Sequence, residues 1–323
     1  MNTTRPGDAE FRATGRVSAY DPPPEGVPRG GAATAGRLVA FAGLSLVALF
    51  VVPAVVYPFI QFGSAVTGTR LIGFGVMACL SMLLATALSV RLFRERWSAA
   101  TRLSTDALGR WPIVGGFAAG WFAIAIPAGL LIWLGVLHVV PAAPGSWEQG
   151  ALLALAILAP AALTEELGLR GYAFTLLQRA WGPGAAIAVS SVLFGLLHLF
   201  NPGVTPWSMA MVALAGVFLA VVRLAFDSLW AAWLAHLAYN FVQVAVFHSP
   251  VSGLAIPQPN YRTVAAGADW LTGGQWGPEA GAAAAVGMLG VTFLLAIHAR
   301  WIAVHRRGWR FDIEWRPSRR RES

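Results

Sequence analysis

The sequence predicts an all-α membrane protein, a bundle of about eight transmembrane helices with both termini in the cytoplasm. Of the 323 residues, 57% are hydrophobic and 12% are charged, whereas soluble domains carry about 25% charged residues. Apolar runs of about 20 residues, the length that crosses a bilayer, recur along the chain. The predicted spans lie near residues 38–60, 71–93, 113–139, 150–178, 184–200, 206–226, 229–248 and 281–304.

The distribution of arginine predicts the orientation. The net charge of +8 comes from arginine alone, because the chain has no lysine. Basic residues accumulate in cytoplasmic loops. With cytoplasmic termini, all but three of the 23 basic residues fall on the inner side; Arg70 and Arg262 lie in outer loops and Arg170 lies inside a span. The alanine-rich, lysine-free composition indicates a bacterium, so we expect a multi-pass protein of the bacterial plasma membrane.

The composition divides the chain into three parts. Residues 1–36 are polar and rich in glycine and proline, which predicts a disordered cytoplasmic tail. Residues 37–304 hold the transmembrane bundle. Residues 305–323 mix arginine with tryptophan and phenylalanine, a pattern that favours contact with anionic lipid headgroups over nucleic acid. Between the last two predicted spans, a segment of about thirty residues is expected to be a loop near the membrane interface.

Three ionisable residues lie inside the fourth apolar run, 150-GALLALAILAPAALTEELGLRGYAFTLL-177. A charge at the centre of a membrane helix costs roughly 2.5–3.5 kcal/mol, so it points to function and needs a partner. Glu166 and Arg170 are four residues apart and therefore share a helix face, where they can neutralise each other. Glu165 points about 100° away. We expect Glu166 and Arg170 to pair and Glu165 to remain available for chemistry.

Other apolar runs supply polar partners for Glu165. His198 follows Phe194 by one helical turn at the end of the fifth span, and His236 and Asn240 share a face of the seventh. A carboxylate, two imidazoles and a carboxamide that meet inside a bundle can activate water. A structural salt-bridge network and an interhelical polar clamp are the alternative interpretations of the same residues.

The three motifs together resemble those of the CPBP intramembrane proteases, also called the CAAX protease or bacteriocin-processing (Abi) family, which includes the Rce1-type enzymes. They are E-E-x-x-x-R-G from Glu165, F-x-x-x-H from Phe194 and H-x-x-x-N from His236, in that order. The resemblance covers about residues 110–250. It implies that the protein is an endopeptidase that acts on a membrane-associated peptide or protein, as in CAAX-type or bacteriocin processing.

The resemblance also implies a role for each matching residue. Glu165, helped by His198, would activate the water, and His236 and Asn240 would polarise the scissile carbonyl and stabilise the oxyanion. Glu166, Arg170 and Phe194 would support them. A metalloprotease scheme stays open, in which Glu165, His198 and His236 hold Zn²⁺, because two imidazoles and a carboxylate are common zinc ligands.

Two other functions fit buried acids and histidines in a membrane bundle. A transporter or proton relay uses such groups along its pathway, although it usually shows internal repeats, and none is visible in this sequence. A catalytically inactive scaffold or immunity protein would keep the cluster for structural reasons alone.

Overall fold

The computed structural model describes residues 31–67, 69–103 and 105–307, which form a bundle of helices with one small β-ribbon. The long helices are α1 (Gly31–Thr67), α2 (Leu71–Leu92), α4 (Arg110–Trp133), α5 (Trp147–Glu166), α6 (Tyr172–Leu197), α7 (Pro206–Ala225), α8 (Leu229–Phe241) and α10 (Ala282–Arg307). The short elements are α3 (Trp97–Thr101), β1 (Leu137–Pro141), β2 (Tyr261–Ala265) and α9 (Asp269–Thr272).

The predicted all-α, multi-pass membrane architecture is confirmed. Within the described ranges, 6 helical segments are long and apolar enough to cross a membrane. One of them, Trp147–Leu197, is 51 residues long because it includes both α5 and α6. It bends at Gly182, whose φ of 83° no helix interior adopts, so it accounts for two of the predicted spans. The apolar part of α10, Ala282–His298, is shorter. The cytoplasmic location of the termini stays a prediction.

Several predicted boundaries were wrong. Helix α1 begins at Gly31, inside the segment predicted to be a disordered tail, because alanine-rich residues extend the helix. Helix α10 continues to Arg307, past the predicted end of the bundle at residue 304. Residues 1–30 and 308–323 lie outside the described residues, and so does most of the predicted lipid-binding tail.

The third predicted span was too long at its end. Helix α4 stops at Trp133, and Gly135 has a φ of 70°, a left-handed conformation that commonly follows a helix. The last residues of the predicted span, 137–139, belong instead to β1, which covers Leu137–Pro141 and pairs antiparallel with β2. The β-branched Val139 and Val140 favour this conformation. The segment predicted as a loop therefore contains a strand and the helix α9, at the end of the bundle where α8 ends.

The close contact between α4 and α8 positions the second histidine motif. A side chain on Gly116 or Gly120 would collide with the backbone of Ala231 or Ala235 on α8. Small residues allow membrane helices to approach in this way, where van der Waals packing holds them together. This packing fixes the helix that carries His236 against the centre of the bundle.

Candidate active site

The two adjacent glutamates occupy different environments at the end of α5. The side chain of Glu166 is 0% exposed, and its Oε1 accepts a hydrogen bond from Arg170 at 2.9 Å. Arg170 belongs to a π-helical turn, Leu167–Gly171, that connects α5 to α6. The side chain of Glu165 is 31% exposed and lies on the wall of a cavity. One carboxylate is therefore paired inside the protein and the other is accessible.

Arg170 is completely buried, and three groups of the protein contact its guanidinium. Besides the bond to Glu166, its Nη2 donates to the carbonyl oxygen of Gly216 at 3.3 Å. Its guanidinium carbon lies 4.3 Å from the centre of the Phe194 ring, a distance at which the ring face attracts a cation. This arrangement connects α7 and the second half of α6 to the turn that follows the glutamates.

His236 bridges the two glutamates from α8. Its Nδ1 lies 3.0 Å from Oε1 of Glu166, and its Nε2 lies 3.9 Å from Oε2 of Glu165. Since an ionised carboxylate can only accept hydrogen bonds, Nδ1 carries the proton in the bond to Glu166. The other ring nitrogen then faces the accessible carboxylate. The ring also contacts the edge of Phe194, with 5.7 Å between centres.

His198 caps the carboxyl end of α6. Its Nδ1 donates to the carbonyl oxygen of Phe194 at 2.8 Å, and the ring lies 4.9 Å from the Phe194 ring. In the neutral imidazole this bond leaves Nε2 without a proton, so Nε2 can accept one. Phe194 therefore contacts both histidines and Arg170, which explains its place in the motif as a packing centre.

A cavity of about 470 Å³ brings the predicted residues together. Its wall includes Glu165, Phe194, His198, His236 and Asn240. Its remaining surface is mainly apolar. Oε2 of Glu165 is buried and has no hydrogen-bond partner in the described part of the chain, which is unusual for a buried carboxylate oxygen. The cavity can hold a peptide segment and a water molecule beside the Glu165 side chain.

Four polar residues of the cavity wall were not assigned to the site from the sequence. They are Asn201, Tyr239, Ser252 and Glu279. Tyr239 is next to Asn240, but the other three come from turns whose folding the sequence does not predict. Glu279 could have been identified in the sequence as a lone acidic residue between Trp276 and the apolar helix α10, a position where a carboxylate needs a partner.

The side chains do not form an evident metal site. Among the residues whose side chains are described, no group of three or more His, Cys, Asp or Glu is arranged to hold a metal ion together. The predicted Zn²⁺ ligands Glu165, His198 and His236 are thus not arranged as a metal site in the described structure, and Zn²⁺ binding stays a prediction.

Fold and site together define a multi-pass membrane protein with a polar cluster suited to hydrolysis. Residues 146–242 match the family model described as type II CAAX prenyl endopeptidase Rce1-like. The matched segment contains all three motifs. The match confirms that this segment resembles the CPBP/Rce1-like family, and that family implies a protease. No curated protein and no solved structure matches the chain.

Proposed function

We propose that this protein is an intramembrane endopeptidase in which Glu165 activates the water that cleaves a peptide bond. The family match supports a CAAX-type endopeptidase at the family level. The single observation that carries the mechanism is that Glu165, His198, His236 and Asn240, from three helices, line one cavity. The substrate is a membrane-associated protein or peptide, processed as in CAAX-type or bacteriocin maturation.

The accessible carboxylate is best placed to act as the general base. A water beside Glu165 would donate one hydrogen bond to its carboxylate and another to Nε2 of His198, because both groups accept. As the water oxygen attacks the carbonyl carbon, its proton passes to Glu165. The tetrahedral intermediate collapses when the same proton is transferred to the departing amine nitrogen, which breaks the C–N bond. Such proton transfers typically contribute about 10²–10⁴-fold to a rate.

Asn240 is the better placed donor to the oxyanion. Its carboxamide carries two N–H donors in any protonation state. His236 can donate through Nε2 only as a doubly protonated imidazolium, because the bond to Glu166 already uses Nδ1–H. Each such donor is worth about 3–4 kcal/mol in known oxyanion holes.

Glu166 and Arg170 have a positioning role in this scheme. Glu166 fixes the ring of His236, and Arg170 neutralises Glu166 while it contacts Phe194. Neither side chain reaches the solvent, so neither is expected to contact the substrate. Their removal should act through the orientation of His236.

The base role can be tested with Glu165→Gln, Glu165→Ala and a matched control, Glu148→Gln. Glu148 is an exposed acid in the first turn of the same helix. The purified protein in lipid nanodiscs would be incubated with a fluorogenic prenylated peptide that ends in a CAAX sequence and with an unprenylated membrane peptide. We expect cleavage by the wild type and the control, and a loss of at least about 10²-fold in both Glu165 variants.

The same preparation distinguishes the alternatives. Proton flux in liposomes that depends on Glu165, without peptide cleavage, would favour a relay. An inactive scaffold would cleave nothing, and its Glu165→Gln variant would complement a deletion strain as well as the wild type does. Cleavage that persists unchanged in Glu165→Gln would refute the glutamate mechanism.

A further inference from the structure

The wall of the active-site cavity is completed by residues beyond the family match. The match ends at residue 242, but residues 251–256, which we call the cap, contribute five wall residues. These are Val251, Ser252, Leu254, Ala255 and Ile256. All but Ser252 are apolar. Whatever occupies the cavity therefore contacts a surface that the family segment does not supply.

The cap contains a strained turn. Val251 and Leu254 exchange both backbone hydrogen bonds, with N···O distances of 3.0 and 2.8 Å. Between them, Ser252 and Gly253 have φ values of 51° and 77°, the pattern of a type I′ turn. Glycine adopts this conformation freely, but serine does so rarely. A strained backbone persists only where its surroundings hold it, and such strain is concentrated at ligand clamps.

Glu279 holds this turn. Its Oε1 accepts hydrogen bonds from Ser252 N at 2.6 Å, Ser252 Oγ at 2.8 Å and Trp276 Nε1 at 3.2 Å. Its Oε2 accepts from Gln243 Nε2 at 3.1 Å, and its backbone N–H donates to Gln243 Oε1 at 3.2 Å. Gln243 lies in the π-helical turn that follows α8. The buried carboxylate thus ties the cap to the helix that carries His236.

The cap also contacts the turn that follows His198. Asn201 Nδ2 donates to the carbonyl oxygen of Ser252 at 2.9 Å, and Gly253 N donates to Trp276 O at 2.9 Å. Gly253 lies so close to the Pro202 backbone that a side chain would collide with it. The cap is therefore fixed relative to both histidines, which is the property needed to position a substrate.

We propose that the cap, held by Glu279, selects substrates by the size of the apolar side chains that flank the cleaved bond. This inference rests on the proposed function. Apolar cap residues face a cavity wall that also contains Leu197, Met211 and Leu219, so the pocket between them recognises shape and not charge. Leu254 is the position to vary, because it lines the cavity but is 48% exposed, so a substitution there should not disturb the packed core.

The first test changes the size of residue 254. Wild type, Leu254→Ala and Leu254→Trp would be compared on the prenylated peptide with Ala, Val, Leu or Phe on either side of the cleaved bond. The control is Leu289→Ala, a similarly exposed leucine on α10 outside the cavity wall. We expect Leu254→Ala to raise kcat/KM for the Phe peptide relative to the Ala peptide by about tenfold. Leu254→Trp should lower the same ratio, because small changes in the size of an apolar pocket alter specificity by about this amount.

The second test loosens the cap through Glu279→Gln. The amide places an N–H₂ group where one carboxylate oxygen accepted a hydrogen bond, so the network that ties the cap to α8 loses at least one hydrogen bond. We expect KM to rise more than kcat falls, and the preference among the four peptides to become weaker. Ser252→Ala, which removes only the Oγ donor, should change both quantities in the same direction but less. Glu148→Gln is the matched control.

The outcomes separate the two proposals. If the wild type cleaves no peptide, the proposed function fails, and the cap's role in catalysis fails with it. If the wild type cleaves but the Leu254 and Glu279 variants keep the wild-type peptide preference, the cap proposal alone is refuted. A lower melting temperature of Glu279→Gln with unchanged preference would mean that Glu279 only stabilises the fold.

Discussion

The buried pair Glu166–Arg170 allows a quantitative test of how the site is built. Both side chains are 0% exposed and 2.9 Å apart, and the same Glu166 oxygen accepts from His236. Glu166→Gln keeps the volume but removes the charge, and so leaves the buried Arg170 guanidinium without the carboxylate that it pairs with. Removing one partner of a buried pair costs about 3–5 kcal/mol. We therefore expect a loss of about 4 kcal/mol.

A double-mutant cycle separates the charge from the packing. The cycle compares Glu166→Leu, Arg170→Met and their combination, which removes both charges and keeps apolar volume. Because replacing a whole buried ion pair is often close to neutral, the double variant should recover most of the stability that either single variant loses. Its activity should stay absent, since His236 has lost the acceptor of its Nδ1–H.

The assay is unfolding of the purified protein in detergent, followed by helical circular dichroism, with activity measured on the same samples. In domains of about 150–250 residues, 1 kcal/mol corresponds to about 2–4 °C in melting temperature, and the shift is smaller in larger proteins, so the single variants should melt roughly 5–10 °C lower. A double variant no more stable than the singles would show that the pair is not coupled. A double variant that regained activity would refute the orienting role of Glu166.

Four further outcomes follow from the structure. Asn240→Ala should lower kcat by about 10²–10³-fold without changing the melting temperature; an unchanged kcat would remove it from the oxyanion site. Tyr239→Phe should not destabilise the protein and can gain up to about 1 kcal/mol, because its buried hydroxyl has no partner within the described residues. Gly120→Ala should destabilise the α4–α8 contact, whereas Gly129→Ala, with open space around it, should stabilise by about 0.5–1 kcal/mol. Exhaustive chelation should leave peptide cleavage intact; a loss restored by Zn²⁺ alone would favour the metal scheme.

Local periodicity predicted the parts of the site that lie within one helix. The four-residue spacing of Glu166 and Arg170 was enough to predict their ion pair, which the structure contains. Glu165 was expected to point elsewhere, and it lines the cavity. These inferences succeed because a helix fixes which residues share a face, whatever surrounds it.

Contacts between distant segments were not predictable in the same way. The bond from His236 to Glu166 joins α8 to α5 and depends on how two helices pack. The bond from Glu279 to Ser252 depends on a turn with two positive φ values and on the π-helical turn that places Gln243. Nothing in the local sequence specifies such turns, and β1 was missed because its apolar residues also suit a membrane helix.

The positions of the charges indicate why two adjacent glutamates are needed. Arg170, Glu166, His236 and Glu165 follow one another in space, each in contact with the next or within 3.9 Å of it. With His236 doubly protonated, positive and negative charges alternate and their sum is zero, which limits the cost of placing them inside a bundle. A single glutamate could not both fix the histidine ring and remain free to take a proton from water. In the proposed mechanism, the buried glutamate therefore orients the histidine, and the accessible one is left to act as the base.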